Sequence, residues 1–444
     1  MIRVTKRAYA LVVISATLVG ATFLTPGPVS VATASVAVFL LLLIVSSRAS
    51  LSAQVGALGR LLIEKRVSKP LIEGREASIE VTFRNDSVVP IELLEVKIPY
   101  PASFKLVKGS PNALVTIPPK SVVKVGIGLI PRVGEHLLPP PKLVLRDWLG
   151  MFRYVAEVGK AEVIRVYPRV EPVKSFMIIY SARPGGLSRA KRRGHGVEFF
   201  GLREYVPGDE YRRIEWKASA RYGLQRLFVK EFEHEVSLNL FFLLDTSRYM
   251  LSGGWGETPL EYSVRAVASI ASYALRRGDS VCIIHYFTKV PKLIRGRASL
   301  PQVISELSRL PWDSIVGIRE SRVAELVSRK LVKVMPRERN VVMVFTSLYG
   351  GAEEVKALID SLSMIRSLGN AVMVVVPMVE FFEVRTLKGF QAAVYRVRTI
   401  HAIKAKLEAI NTLLSHGIPT VTALPKELSD LVVRRLEMIR ASIT

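Results

Sequence analysis

Two uncharged, mostly apolar runs stand at the head of the chain, Ala8 to Leu24 and Val29 to Ser47, parted by Thr25-Pro26-Gly27-Pro28. No other feature limits the fold as much. Each run has about the length a helix needs to cross a ~30 Å hydrocarbon core. Backbone in lipid must satisfy its own hydrogen bonds, so the pattern predicts a transmembrane helical hairpin, with the prolines and glycine breaking helix at the turn. A cleaved signal peptide is the rival reading of the first run, with Ala16 or Ala21 as the small residue at the cut. The second apolar run directly behind it favours an uncleaved pair. Arg3, Lys6 and Arg7 precede the first helix; Arg48, Arg60, Lys65, Arg66 and Lys69 follow the second; the turn carries no charge. Lys and Arg stay on the cytoplasmic side, so the expectation is a cell-membrane protein with two spans, both termini cytoplasmic and the body of the chain inside the cell.

Composition narrows the classes further. Lys plus Arg is 63 and Asp plus Glu 38, a formal charge of +25, yet 49% of the 444 residues are apolar. That much apolar surface excludes a disordered polyelectrolyte. The single cysteine, Cys282, excludes an intrachain disulfide and a Cys-clustered zinc site, and agrees with a reducing compartment. The six histidines are scattered, and neither an H-E-x-x-H nor a glycine-rich phosphate loop occurs.

Behind the helices the pattern shifts to period two. Ile79, Val81 and Phe83 fall on one face, with Ser78, Glu80, Thr82 and Arg84 on the other. Strand-like runs recur at Ile91 to Ile98, Val115 to Ile117, Val122 to Ile130, Leu143 to Arg146 and Val163 to Val166. Short, regularly spaced strands with turns between them predict a β-sandwich.

Beyond Val236 the rhythm changes again. Leu238 to Leu244 is a continuous apolar run ending at Asp245, as expected of a strand buried on both faces. Strands at Val281 to Phe287, Val341 to Phe345, Ala371 to Val379 and Thr420 to Ala423 alternate with helical stretches at Leu260 to Arg277, Pro301 to Leu310, Arg319 to Val334, Ala352 to Leu368, Ala402 to Leu414 and Glu427 to Ile439. Such alternation predicts a doubly wound parallel sheet, whose ligands bind outside the carboxyl ends of the strands. Asp245 and Ser347 stand at two of those ends. The glycines of Ser252-Gly253-Gly254-Trp255-Gly256 make Trp255 either a tucked residue or a partner anchor. Cys282 and His285 read as core or sheet-edge residues.

The segment between the two patterns is distinctive. Arg183, Arg189, Lys191, Arg192 and Arg193 form a cationic stretch that reads as a solvated loop near anionic lipid, or less readily as a nucleic-acid contact, since it lacks interleaved aromatics. Then come Gly201-Leu202-Arg203-Glu204-Tyr205-Val206-Pro207-Gly208-Asp209 and Arg213-Ile214-Glu215-Trp216-Lys217 with Ala220-Arg221. Pro207-Gly208 predicts a turn, with Asp209 capping a short helix behind it. On that helix Arg213, Lys217 and Arg221 share a face at i, i+4 spacing. Arg203, Glu204, Asp209, Trp216, Lys217 and Arg221 are the candidate interaction residues. The architectural alternative is a salt-bridged elbow plugged by Trp216.

These residues carry a resemblance. The run from Arg203 through Pro207-Gly208-Asp209, Trp216-Lys217, Ala220-Arg221 and Glu231-Phe232-Glu233 resembles the hallmark of the DUF58 family. Arg146-Asp147-Trp148-Leu149-Gly150-Met151-Phe152 is similar to that family's R-D-P-x-G-L-F segment, with Trp148 in place of proline, and Val166-Tyr167-Pro168-Arg169 to its V-Y-P strand. Leu243-Leu244-Asp245-Thr246-Ser247 resembles the first strand and metal loop of a von Willebrand factor A-like domain. The resemblance implies four parts: a transmembrane hairpin over 1–50, a β-sandwich over 51–170, a signature segment over 171–235 and a von Willebrand factor A-like domain over 236–444. It also implies a partner, a MoxR-like AAA+ ATPase. The metal loop of such domains reads Asp-x-Ser-x-Ser. Here it is Asp245-Thr246-Ser247-Arg248-Tyr249, so Asp245 and Ser247 are carried over as ligands of Mg²⁺, a hard cation that takes oxygen donors. Tyr249 replaces the last serine, Ser347 stands where the fuller motif offers an aspartate, and Arg297 to Gln302 holds no identifiable counterpart of the central threonine. The alternative role for Asp245 is capping the next turn or pairing with Arg248.

The expected function is that of a membrane-anchored adaptor that docks a partner at the strand-end face in complex assembly or chaperone-like remodelling. The alternatives are a metal-assisted hydrolase using Asp245 with Glu257 or Asp279, and an electrostatic binder of nucleic acid or anionic lipid.

Overall fold

The computed structural model describes residues 2–24, 27–173, 193–221, 226–233, 237–318, 320–337, 340–380 and 390–443; of residues 193–201, 203, 213, 231–233, 313, 390–398 and 443 it gives the backbone course alone. The cationic stretch Arg183 to Arg192 falls outside the described residues. The chain divides into two compact units, Met1–Tyr167 and Pro168–Thr444.

The first unit opens with a three-residue strand β1 (Ile2–Val4), followed by helices α1 (Lys6–Thr22) and α2 (Pro28–Leu58), which pack on each other. Pro28 stands in the first turn of α2, where its missing N–H costs nothing. α2 is long and apolar enough to cross a membrane: mean hydropathy reaches 2.5 over a window that is only 6% buried. Its last turns behave differently, since Leu51, Ala57 and Leu58 belong to the core of the following β structure.

That structure contains β2 (Leu62–Val67), β3 (Leu71–Ile72), β4 (Ala77–Asn85), β5 (Ile91–Lys97), β6 (Lys105–Lys108), β7 (Asn112–Ile117), β8 (Ser121–Ile130), β9 (Gly134–Leu138), β10 (Lys142–Arg146), β11 (Phe152–Glu157) and β12 (Glu162–Tyr167). They form sheets in the orders β1-β11-β10-β5-β7, β2-β4-β8-β6 and β3-β12-β9. Ile79, Val81 and Phe83 of β4, Leu94 and Val96 of β5, and Leu143 and Leu145 of β10 meet in one buried cluster, as period-two alternation requires. Ile2–Val4 add an edge strand that the apolar pattern does not reveal.

In the second unit, β13 (Arg193–Glu204) pairs antiparallel with β14 (Phe228–Glu233), and a short helix α3 (Trp216–Arg221) lies between them in sequence. A larger sheet follows: β15 (Asn239–Leu244), β16 (Ser280–Ile284), β17 (Ile294–Arg295), β18 (Asn340–Phe345), β19 (Ala371–Pro377) and β20 (Thr420–Ala423), in the order β17-β16-β15-β18-β19-β20. All neighbours pair parallel except β16 and β17. The helices are α4 (Pro259–Arg276), α5 (Leu300–Leu307), α6 (Trp312–Ile315), α7 (Val323–Leu326), α8 (Ala352–Ser367), α9 (Phe390–Ser415) and α10 (Leu428–Ile443). The run expected as one helix from Arg319 to Val334 is α7 plus a π turn over Val327–Leu331. α4 begins with a full capping box, the Thr258 hydroxyl accepting from the Glu261 N–H while Glu261 reaches back to the Thr258 N–H.

Strand order places the site. β15 lies between β16 and β18, so the chain leaves β15 in one direction and returns on its other side. The carboxyl ends of β15 and β18 therefore flank the topological switch point, where open α/β sheets have their ligand crevice.

Candidate functional site

Asp245 leaves the end of β15 and is buried, with its N–H bonded to the Phe345 carbonyl at 2.9 Å. Its Oδ1 accepts the Ser247 N–H at 2.9 Å, and its Oδ2 accepts the Thr346 hydroxyl at 2.8 Å. The Ser321 hydroxyl also favours its charged form, but burial outweighs these donors and pushes the carboxyl above its ordinary value. Asp245 thus does cap the turn that follows it. Arg248 is turned elsewhere, its guanidinium 5.5 Å from the Tyr249 ring centroid.

Ser247 is buried, and its hydroxyl makes no hydrogen bond of acceptable geometry although it lies beside Asp245. A buried hydroxyl in that condition is costly. Around it is a pocket of about 80 Å³ lined by Asp245, Ser247, Ser321, Thr346, Ser347 and Glu354 among others. Leu348, just past β18, holds φ +53°, a left-handed backbone that a bulky residue adopts only under constraint.

Glu354 is the residue that sequence reasoning missed. It sits in the first turn of α8 and brings a second carboxylate to the pocket that Asp245 lines. Burial, then the charge of Asp245, raises its pKa, while the Ser321 backbone N–H opposes the rise. Gly350 makes room for it: a Cβ there would collide with the Glu354 side chain. Ser321 lines the same pocket and its hydroxyl reaches Asp245. Its signal was absent from the local pattern because the loop before α7 is irregular.

One wall is held rigidly. The Tyr349 hydroxyl donates to Glu380 Oε1 at 2.7 Å, buried Lys406 pairs with the same carboxylate, and the Lys406 ammonium lies 4.6 Å from the Tyr349 ring centroid. Tyr249, standing where the motif's last serine would be, packs against Tyr349 with ring centroids 6.3 Å apart. The phenol therefore builds the wall.

Among the described residues, no three of His, Cys, Asp and Glu gather as a metal cage. What converges is two carboxylates with serine and threonine hydroxyls, an all-oxygen set suited to a hard divalent cation that keeps its waters. Asp279, offered with Glu257 as a hydrolytic partner of Asp245, is not there. It precedes β16 at the amino ends of the strands, opposite the carboxyl ends that bear Asp245, and pairs with Arg440. Cys282 and His285 are buried on or beside β16. Burial pushes the thiol up to about 12, and burial together with Lys330 pushes the imidazole down to about 3. Trp255 is exposed.

The signature residues form a separate arrangement. Asp209 does not cap a helix: its Oδ2 accepts the Val206 N–H at 2.9 Å and closes the Pro207-Gly208 turn. Arg213 is not on the helix with Lys217 and Arg221. It ends a single 3-10 turn, Tyr211–Arg213, because Ile214 bridges to Val229 and resets the backbone before α3 begins at Trp216. Trp216 is not an apolar plug, being 58% exposed; Ile214, Ser219 and Val229 fill the interior there. Ser219 accepts the Phe228 N–H at 2.9 Å and donates to the Glu215 carbonyl at 3.0 Å. Glu204 pairs with Arg226 at 3.2 Å, and Glu215 pairs with Lys230. Lys217 and Arg221 are exposed on α3. Arg203 lies on β13, its side chain outside the described residues.

Residues 201–376 match the family described as "Protein of unknown function DUF58". A stretch of 151 residues is 29% identical to the uncharacterized protein YeaD of Bacillus subtilis, spanning 34% of this chain and 35% of the relative's length. Two solved structures show weak likeness. A FixG-related protein from Vibrio parahaemolyticus has a TM-score of 0.17 and 10% identity over 23% of this chain and 94% of its own. Proximal thread matrix protein 1 from the mussel byssus has a TM-score of 0.29 and 14% identity over 46% and 48%. At such scores neither likeness bears on fold or function.

Proposed function

We propose that this DUF58-domain protein is a membrane-anchored adaptor that grips a partner protein through a Mg²⁺-dependent site at the rim of a von Willebrand factor A-like domain. The observation that carries the reading is the pocket at the switch point, which Asp245 and Glu354 both line among hydroxyls and where the Ser247 Oγ has no hydrogen-bond partner. Asp245 and Ser247 would hold the ion, with Glu354, Ser321 and Thr346 within the same pocket. The ion would supply an open coordination position for an acidic oxygen of the partner. A partner of the MoxR-like AAA+ class follows from the family resemblance.

The anchor is the α1–α2 pair acting as a transmembrane hairpin. α1 and α2 pack on each other, β1 ahead of them pairs with β11, and the last turns of α2 enter the same core, so both ends of the pair are fixed to one β unit. With the flanking Lys and Arg, this supports a cytoplasmic body with both termini on that side.

The test is retrieval of partners from detergent-solubilised membranes by the tagged full chain. The expected result is a MoxR-type ATPase recovered with Mg²⁺ and lost with EDTA or in Asp245→Asn. If Asp245→Asn recovers the same proteins as the parent chain, the site is not the grip.

A further inference from the structure

β1 runs antiparallel to β11, and β11 to β10, in a register that sets Arg3 opposite Arg153 and Arg153 opposite Arg146. Directly opposed residues on neighbouring strands share a face, so three arginines stand side by side across the sheet edge, all exposed. Like charges so placed repel, and a sheet has no folding reason to collect them. Arg146 is partly compensated by Glu95 at 2.8 Å, which also serves Lys97 at 3.1 Å. No carboxylate lies within ion-pair distance of Arg3 or Arg153 among the described residues.

The row lies one residue from the tip of the β10–β11 hairpin, and that tip is tied to the roots of both helices. The Thr5 hydroxyl donates to the Gly150 carbonyl at 2.8 Å, and the Thr5 N–H to the Met151 carbonyl at 2.9 Å, one residue before α1. Ser47 of α2 donates to Asp147, whose other oxygen accepts the Phe152 N–H at 2.7 Å. Above Ser47, Pro28 to Ser46 provide about 28 Å of helix at 1.5 Å per residue, close to the hydrocarbon thickness of a bilayer. The tip therefore lies at the level where the helices would leave lipid. It presents Trp148, 61% exposed. Indole, with an apolar body and one N–H, favours the headgroup layer.

We propose that this edge is a seat for the phosphate of an anionic phospholipid headgroup, gripped by Arg3 and Arg153 with Arg146 beside them, while Trp148 enters the interfacial layer. Guanidinium groups fit phosphate oxygens in a bidentate manner, and the incoming charge relieves the repulsion along the row. The inference rests on the membrane reading of α1 and α2.

The experiment uses the full chain reconstituted with equal phosphatidylglycerol and phosphatidylcholine, then native mass spectrometry of retained lipid. The parent chain is expected to retain phosphatidylglycerol preferentially. Arg3→Gln with Arg153→Gln should lower that preference on the order of tenfold. Lys124→Gln with Lys160→Gln, the same charge change elsewhere in the unit, should leave it intact. Trp148 fluorescence, taken as the difference between the parent and Trp148→Phe, should be quenched by lipid brominated near the headgroup. Equal loss in both double variants would reduce the effect to bulk charge and overturn the proposal, as would displacement of the lipid by millimolar inorganic phosphate or capture of a second copy in place of lipid. Alkaline carbonate extraction separates the two claims. A chain that stays in the membrane but shows no lipid preference defeats this inference alone, whereas a chain that washes off defeats the anchor as well.

Discussion

Two buried aspartates mark opposite ends of neighbouring parallel strands, and they are satisfied in opposite ways. Asp279, just before β16, accepts from both terminal guanidinium nitrogens of Arg440 and from the Leu238 N–H at 2.9 Å. Glu437 extends that network to Arg440 at 3.3 Å and to the Tyr273 hydroxyl at 3.0 Å, and burial beside this carboxylate pushes the Tyr273 phenol up to about 12. Asp245, just after β15, receives only neutral donors and faces a second carboxylate. Among the described residues no Lys or Arg pairs with Asp245 or Glu354. A carboxylate neutralised by its own chain fastens a helix to a sheet; under the proposed function, the one left beside another carboxylate is a place for a cation from outside.

This contrast can be broken at several points. The largest effect is expected at the amino edge. Arg440→Ala leaves Asp279 charged and buried without its partner and should cost about 3–5 kcal/mol in urea unfolding of the full chain. The same experiment on Asp245→Asn should show no comparable loss without metal, because a repulsion is removed. With Mg²⁺ the order changes: at a hundredfold excess over its dissociation constant the parent chain should gain about 2.7 kcal/mol, and Asp245→Asn should gain none.

A smaller effect is the pH dependence. Asp245 and Glu354 both hold their protons more tightly when folded than their ordinary values of 3.8 and 4.5 imply. Their contribution to stability is therefore fully present below those values and lost as pH rises through the elevated folded values. Metal-free thermal melts should reveal this slope in the parent chain and a weaker one in Asp245→Asn. The smallest effect is expected from Gly350→Ala, which displaces the Glu354 side chain. Calorimetric titration should show Mg²⁺ affinity reduced by about tenfold, roughly 1.4 kcal/mol, with the fold intact. Unchanged affinity would remove Glu354 from the site.

How far the sequence spoke depended on the range of the interaction. The apolar runs gave the parallel strands to within three residues at each end and left out β17, since Leu238 to Leu244 has to be buried on both faces wherever it lies. Asp245 was legible because it ends such a run. Glu354 was not, because a carboxylate in the first turn of a helix usually answers the helix dipole, and only the order β16-β15-β18 brings that turn over Asp245. The elbow between β13 and β14 was misread for the opposite reason. The i, i+4 spacing of Arg213, Lys217 and Arg221 is a local signal, and a single long-range bridge from Ile214 to Val229 overrode it. Likewise Ile2–Val4 is too short to announce itself as a strand without β11 beside it.

The helix Pro28–Leu58 runs without interruption from its exposed upper turns into the core, where Leu51 and Leu58 are buried. It works as a mast set in a deck and not as a tether. Any tilt or twist imposed on its free turns is passed to the β unit as torque, undamped by a hinge, and whatever grips that mast sets the heading of the sheets at its foot.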